Sequence, residues 1–273
     1  MQSRAPRYEG RDTSTHPTVS PLVWQVVRQR GRERFFVKQA ADRTAYQREI
    51  HAYQNHIPTL GAASAPRLYS TSHRLQTLIT TAVPGTPVAR ARLAATTRVE
   101  VYRKAGSLLA RLHHARPSSP ETRANAQKSL THIAGAVARR VDGVEGLSVQ
   151  DRQSVLSTAQ ELCRTERLPL GFVHGNPHEW HWVWSEQSQL ALVDFGRSRF
   201  APVIVDLVPF ACRWLDVPAL KAGFYRGYGR HLLPEERNAL NCLVTLHAAN
   251  RLIHGTVHGD EQVTTYGRRL LGR

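Results

Sequence analysis

Acidic residues, lysine, cysteine and long apolar runs are all scarce in this chain, and each scarcity narrows what it can be. Cys163, Cys212 and Cys242 are widely spaced in apolar surroundings, with no C-x-x-C pair. That pattern argues against a disulfide framework and a zinc site, and reads as buried, reduced thiols of a cytoplasmic protein. No apolar run approaches the roughly 20 residues of a membrane span. The stretch MQSRAPRYEGRDTSTHP lacks the apolar core of a secretory signal, so none is expected. Against 37 basic residues stand only 21 acidic ones, a formal net charge of +16. Such a balance raises anionic partners, nucleic acid among them. Yet the excess is almost all arginine and is scattered, with no polybasic tail, so it reads as a solvated surface and nucleic acid stays the weaker alternative.

What is present suits a globular protein of one or two domains: 273 residues, 41% of them hydrophobic. Leu22 to Lys38 reads as a hairpin, with Val23, Trp24, Val26 and Val27 before the turn Arg30-Gly31-Arg32-Glu33 and Phe35-Phe36-Val37-Lys38 after it. Lys38 is one of only four lysines and ends an apolar strand, where packing alone gives no reason for a charge. Asp42 to His56 reads as a helix with Tyr46, Ile50 and Tyr53 on one stripe and Glu49 beside it. A buried ammonium needs a carboxylate, and Glu49 follows Lys38 by 11 residues. Strands are expected from Ala65 through Tyr69 and from Leu75 to Ala82, the second ending at Val83-Pro84-Gly85.

Beyond Gly85 the chain turns helical. Thr97 to Arg116 carries Val99, Tyr102, Leu108, Leu109 and Leu112 on one face, and His113 and His114 read as packed or exposed helix-end residues. Pro117 to Thr122 reads as a linker, and Ser148-x-x-Asp151 as the start of a helix through Glu166. Pro218 to Arg273 reads as helical, with Tyr228 near one helix end and Pro234 at the next start.

The most informative stretch is Gly171 to Phe200, GFVHGNPHEWHWVWSEQSQLALVDFGRSRF. An apolar entry leads to the loop His174-Gly175-Asn176. A hairpin then pairs Trp182-Val183-Trp184 with Leu190 to Val193 across the polar turn Ser185 to Gln189, and a loop opens at Asp194-Phe195-Gly196. This pattern resembles the catalytic segment of the aminoglycoside phosphotransferase family, relatives of protein kinases. The family motif H-G-D-x-x-x-x-N precedes a strand pair and then D-F-G. His174, Gly175 and Asp194 match, but Asn176 stands in place of the base aspartate and His181 in place of the metal-binding asparagine.

The resemblance implies an α+β, two-lobe, protein-kinase-like fold. A small N-terminal sheet lobe with one helix (1–83) would bind nucleotide, and a larger, mainly helical lobe (84–273) would carry catalysis and the acceptor. It implies an ATP- or GTP-dependent phosphotransferase acting on a small-molecule hydroxyl, with Mg2+ or, given His181, Mn2+. Lys38 would bind phosphate with Glu49 orienting it, and Thr80 to Val83, with Thr80 and Ala82, would hold the adenine. Asp194 and His181 would hold the metal, and His174 and Asn176 would serve the catalytic loop. No G-x-G-x-x-G precedes Lys38, so Thr13 to Val19 is the expected phosphate cover. Asp206, in the family's P-x-x-x-D-L segment, would brace the loop. His258-Gly259-Asp260 follows the D-F-G loop and is read as a turn.

An amide cannot take a proton at neutral pH. Three accounts of Asn176 follow: an exchange that slows the enzyme, a base supplied by His178 or Glu179, or a pseudokinase that binds nucleotide without turnover. His181 has a plainer reading as a hairpin residue among tryptophans. The basic balance favours a neutral or nucleoside-like acceptor, such as an antibiotic or its precursor, over a polycationic aminoglycoside.

Overall fold

The computed structural model describes residues 22–27, 33–117, 119–141, 147–214 and 217–272. The expected phosphate cover at Thr13 to Val19 and most of the turn Arg30 to Glu33 lie outside the described residues. The architecture is α+β: a small antiparallel N-terminal sheet followed by a larger helical region. By contacts the chain divides into two compact units. One takes in residues up to Ala115, His174–Arg199 and Ala222–Gly229; the other comprises Arg116–Val173, Phe200–Lys221 and Arg230–Arg273.

In the first unit, β1 (Leu22–Val27) pairs antiparallel with β2 (Arg34–Gln39), setting Val23 opposite Lys38. α1 (Arg43–Asn55) follows, then β3 (Leu68–Ser72) and β4 (Thr77–Thr81), in the sheet order β1-β2-β4-β3 among the described residues. β4 pairs with β2, with Lys38 opposite Leu78. β1 carries apolar residues at most positions yet leaves Trp24 and Val27 39% and 59% exposed, because it lies at the edge of this order. α1 starts where Asp42 accepts a hydrogen bond from the Ala45 N–H at 2.8 Å, a side-chain N-cap. Its expected stripe of Tyr46, Ile50 and Tyr53 is buried, and so is Glu49.

β5 (Thr86–Pro87) lies after Gly85, whose positive φ of 127° suits only glycine; a Cβ there would strike the Trp184 carbonyl. α2 (Ala95–His113) starts two residues before the expected Thr97 and ends before Arg116. It buries Val101, Tyr102, Leu108, Leu109 and Leu112. His113 is packed, its Nδ1 2.9 Å from the Tyr228 hydroxyl.

The second unit holds the helix that was not legible. α3 (Pro120–Val141) begins inside the stretch read as a linker and buries Ala126, Leu130, Ala134, Val137 and Val141. Two of its five buried residues are alanines, which is why the apolar stripe does not stand out. α4 (Val149–Arg164) opens on Ser148, whose hydroxyl accepts from the Asp151 N–H. Cys163 on this helix is exposed, unlike the expectation, whereas Cys212 and Cys242 are buried, and all three are free thiols.

β6 (Leu170–Val173) leads into His174, β7 (Trp182–Trp184) and β8 (Leu190–Leu192) form the central hairpin, and β9 (Arg199–Pro202) pairs with β6. A 3-10 turn at Val203–Leu207 buries Asp206 completely. α5 (Val208–Trp214), α6 (Pro218–Tyr228), α7 (Pro234–His258) and α8 (Glu261–Leu271) complete the chain. α7 is the centre of its unit, packing against α3, α4, α5 and α8. His258-Gly259-Asp260 is the joint between two helices: Gly259 is the left-handed C-cap of α7, and Asp260 caps α8 by accepting from Val263. Among the described residues, no helix is long and apolar enough to cross a membrane.

Candidate active site

The site lies within the first unit, on β2, α1 and the two loops that flank the β7–β8 hairpin. Alternation along β2 carries Lys38 to the same face as Phe36. There its Nζ sits 2.8 Å from Glu49 Oε2 and 2.6 Å from Asp194 Oδ1. One ammonium thus joins strand, helix and loop. Burial alone would lower the Lys38 pKa, but the charges of Asp194 and Glu49 outweigh it and raise it above the ordinary value. The Glu49 carboxyl moves up: burial is the largest cause, the Asp194 charge adds to it, and Lys38 offsets only part. Asp194 goes the other way. Burial opposes its charge, yet Lys38 first and His181 second hold it well below the usual carboxylate range.

Asp194 keeps a backbone φ of 66°, a left-handed conformation uncommon outside glycine. Both oxygens meet inner partners, yet the side chain is 43% exposed, so its outer side stays open and only the side toward Lys38 is enclosed. Oδ1 meets Lys38, and Oδ2 lies 3.3 Å from His181 Nε2. Gly196, two residues on, comes close enough that a Cβ there would sit 3.2 Å from Lys38 Nζ and 3.1 Å from Glu49 Oε2.

His174 is fully buried. Its Nε2 lies 3.1 Å from the Val193 carbonyl, which can only accept, so Nε2 carries the hydrogen and Nδ1 is left to accept from the Asn176 N–H at 3.4 Å. Its carbonyl accepts from the Ser198 hydroxyl at 3.1 Å, and its ring lies 4.9 Å from that of Phe195. His174, expected among the catalytic residues, therefore braces the two loops from inside. Gly175, with φ of 83°, passes so close to the Arg197 carbonyl that no side chain fits.

Asn176 contributes its backbone carbonyl to the loop, accepting from the His178 N–H and from His181 Nδ1, each at 2.8 Å. Its side-chain amide makes no hydrogen bond to the described residues and is half-buried. His178 is exposed at the start of the 3-10 turn Glu179–His181. Glu179 is already committed: Tyr102 of α2 donates its hydroxyl to Oε1 at 2.8 Å, and Arg98 lies 3.6 Å from the same oxygen.

At the expected adenine segment, Thr80 is buried and its hydroxyl bonds Tyr53, while the Ala82 N–H is given to the Arg34 carbonyl at 2.9 Å. The Tyr53 hydroxyl, buried and facing the charges of Glu49 and Asp194, has its pKa pushed well above the ordinary value. The structure brings together Lys38, Glu49, His174, Asn176, His181 and Asp194. Sequence reasoning overlooked Ser198, Tyr102 and Arg98. Ser198 stood within the Asp194-Phe195-Gly196-Arg197-Ser198 run, where a small hydroxyl residue is a loop-closing signal.

An ammonium from a sheet strand, its glutamate from the following helix and an aspartate after a histidine-anchored loop define the kinase-like class of phosphotransferase folds. The chain belongs to the phosphotransferase enzyme family, whose model matches residues 16–241. No curated protein matches by sequence. Among solved structures, the GDP and kanamycin complex of APH(2")-IIia aligns over 94% of each chain at 16% identity, with a TM-score of 0.64. A choline/ethanolamine kinase family protein from Mesorhizobium loti aligns over 93% of this chain and 84% of its own, at 14% identity and a TM-score of 0.67. Macrolide 2'-phosphotransferase MphH from Brachybacterium faecium aligns over 92% and 88%, at 13% identity and a TM-score of 0.59. At these identities the likeness is one of fold.

Proposed function

We propose that the chain is an ATP- or GTP-dependent O-phosphotransferase that moves the γ-phosphoryl group to a hydroxyl of a small molecule in the cytoplasm. The observation that carries this reading is Lys38 Nζ held between Glu49 at 2.8 Å and Asp194 at 2.6 Å. Lys38, kept aimed by Glu49, would bind phosphate, and Asp194 with His181 would hold a divalent cation, Mg2+ or Mn2+. That cation supplies charge neutralisation on the phosphates. The donor set fits: a carboxylate oxygen and an imidazole nitrogen lie side by side, and Asp194 is open on its outer side. Residues 1–83, with the adenine held at Thr80 to Val83, form the nucleotide lobe, and the acceptor belongs to residues 84–273.

Asn176 positions the acceptor. Its amide oxygen accepts a hydrogen bond from the attacking hydroxyl but takes no proton, so catalysis rests on placement and charge. Glu179 is held by Tyr102 and Arg98 and works as a support of the loop. His178, exposed beside Asn176, is the remaining group of the loop able to receive the proton. The acceptor is a neutral or nucleoside-like alcohol, an antibiotic or its precursor. A nucleotide-binding pseudokinase is the second reading, favoured by the amide at Asn176.

Thermal shift with ATP and GTP in the presence of a divalent cation tests the first step. A stabilisation is expected that Lys38→Ala and Asp194→Ala each abolish, and no response in the wild-type chain would sink the proposal. Phosphoryl transfer to a panel of hydroxylated natural products then separates the two readings. Asn176→Asp restores a base worth about 10²–10⁴-fold in rate. Nucleotide binding with no transfer by either form would leave the pseudokinase.

A further inference from the structure

His181 stands where its environment gives an imidazole one job. Nδ1 is 2.8 Å from the Asn176 carbonyl oxygen, an acceptor only, so Nδ1 carries a hydrogen in either protonation state, and Nε2, which faces Asp194, is the nitrogen at which a cation can stand in for a proton. A backbone carbonyl that fixes the tautomer in this way is the usual outer partner of a metal-bound histidine. Nε2 and Asp194 Oδ2 are 3.3 Å apart. Two neighbouring donors on one cation, at bonds of about 2.1 Å, lie about 3.0 Å apart in an octahedron and about 3.4 Å apart in a tetrahedron. The observed spacing falls between them. Stacking adds rigidity: the His181 ring lies 12° from parallel with that of buried His174, at 6.1 Å. Little rotation is left that would turn Nε2 away.

We infer that His181 Nε2 and Asp194 Oδ2 form a mixed nitrogen–oxygen site that selects a transition-metal ion, Mn2+ or Co2+, over Mg2+. This rests on the nucleotide-binding reading given above and specifies the cation for it. The preference comes from the donor: Mg2+ is a hard ion that keeps oxygen and water around it, whereas imidazole nitrogen binds first-row transition ions well. Selection is coupled to nucleotide. No cluster of three or more His, Cys, Asp or Glu able to hold a metal occurs among the described residues, so two protein donors need phosphate oxygens to complete the shell. The ion therefore binds weakly to the free chain and tightly with nucleotide.

The test uses the 273-residue chain with Mn2+ and ADP or GDP, read by pulsed electron paramagnetic resonance and by thermal shift. A nitrogen hyperfine coupling at Mn2+ is expected, and its pattern changes when histidine is labelled with the heavy nitrogen isotope. Mn2+ supports the nucleotide-dependent shift at a concentration lower than Mg2+ by about tenfold or more. His181→Asn removes the coupling and brings the two ions to within a few-fold of each other. His181→Gln serves as the second variant should Asn disturb the loop, and the isotope experiment needs no variant. A nucleotide shift with equal response to both ions and no nitrogen coupling overturns this inference and leaves the phosphotransferase reading standing. No nucleotide response with any cation overturns both.

Discussion

Two carboxylates share one ammonium at Lys38, and their opposite pKa directions give them opposite roles in stability. Asp194 has a folded value far below its ordinary 3.8, so its charge stabilises the fold at every pH above that figure, and the contribution is lost only as pH falls below it. Glu49 has a folded value above its ordinary 4.5. Whatever its protonated form contributes is present below that value and lost as pH rises, so at neutral pH its charge is a net cost. Asp194→Asn should therefore lower the unfolding temperature by the same amount at pH 7 and pH 5. Glu49→Gln should leave it unchanged or raise it at pH 7, while weakening nucleotide binding because Lys38 loses its guide. Thermal unfolding at the two pH values checks both, and a Glu49→Gln chain markedly less stable than Asp194→Asn would contradict the assignment. Lys38 and Glu49 were legible because a charge at the end of an apolar strand has no packing motive. Ser198 and Tyr102 were not, since their partners, the His174 carbonyl and Glu179, lie 24 and 77 positions away.

Among the elements, the contact of α2 with α6 is made backbone to backbone through glycines. A Cβ on Gly106 would strike the Phe224 carbonyl oxygen, one on Gly227 the Arg103 carbonyl oxygen, and one on Gly223 would lie 2.8 Å from the Val99 carbonyl oxygen. None of these obstacles is the movable end of a side chain. Helix propensity alone would favour alanine over glycine by about 1 kcal/mol in a helix interior. Overpacking of this kind costs about 1–3 kcal/mol, occasionally more, and it should win. Gly106→Ala and Gly227→Ala are each expected to destabilise by about 3 kcal/mol in chemical unfolding, against a gain for substitution at Gly135 on α3, where a Cβ meets only the Arg139 guanidinium at 3.1 Å. Because α2 also carries Tyr102 and Arg98 to Glu179, loosening it reaches the 3-10 turn Glu179–His181. The sequence exposed α1 and the central hairpin through strong apolar periodicity and polar turns. It hid α3, whose stripe is diluted by Ala126 and Ala134, and it hid the glycine contact, since a helix-interior glycine reads as a weakness until its neighbour is known.

At the scale of the whole molecule, the order of Lys38, Glu49, His174 and Asp194 was enough to place the chain in its family, because each residue type is poorly explained by packing at its own position. The charge of +16 was equally visible, but its meaning depends on where the arginines go. Several are used within the protein: Arg230 grips fully buried Glu236 at 2.6 and 2.7 Å, Arg103 pairs with Glu100, and Arg140 donates to Asn250. A net charge of this size still carries long-range self-repulsion. Raising salt from about 10 mM to about 150 mM shortens the screening length from about 30 Å to about 8 Å, which weakens long-range repulsion while sparing close, shielded pairs. The unfolding temperature should therefore rise over that range, as measured by scanning fluorimetry in NaCl. A fall would mean that exposed ion pairs outweigh the net repulsion. The same experiment bears on the nucleic-acid alternative. A scattered excess should give weak association with duplex DNA, lost by about 150 mM salt, whereas a concentrated interface would persist there and show the steep linear salt slope of counterion release. Nucleotide binding, anchored by the enclosed Lys38, should lose much less of its affinity over the same interval.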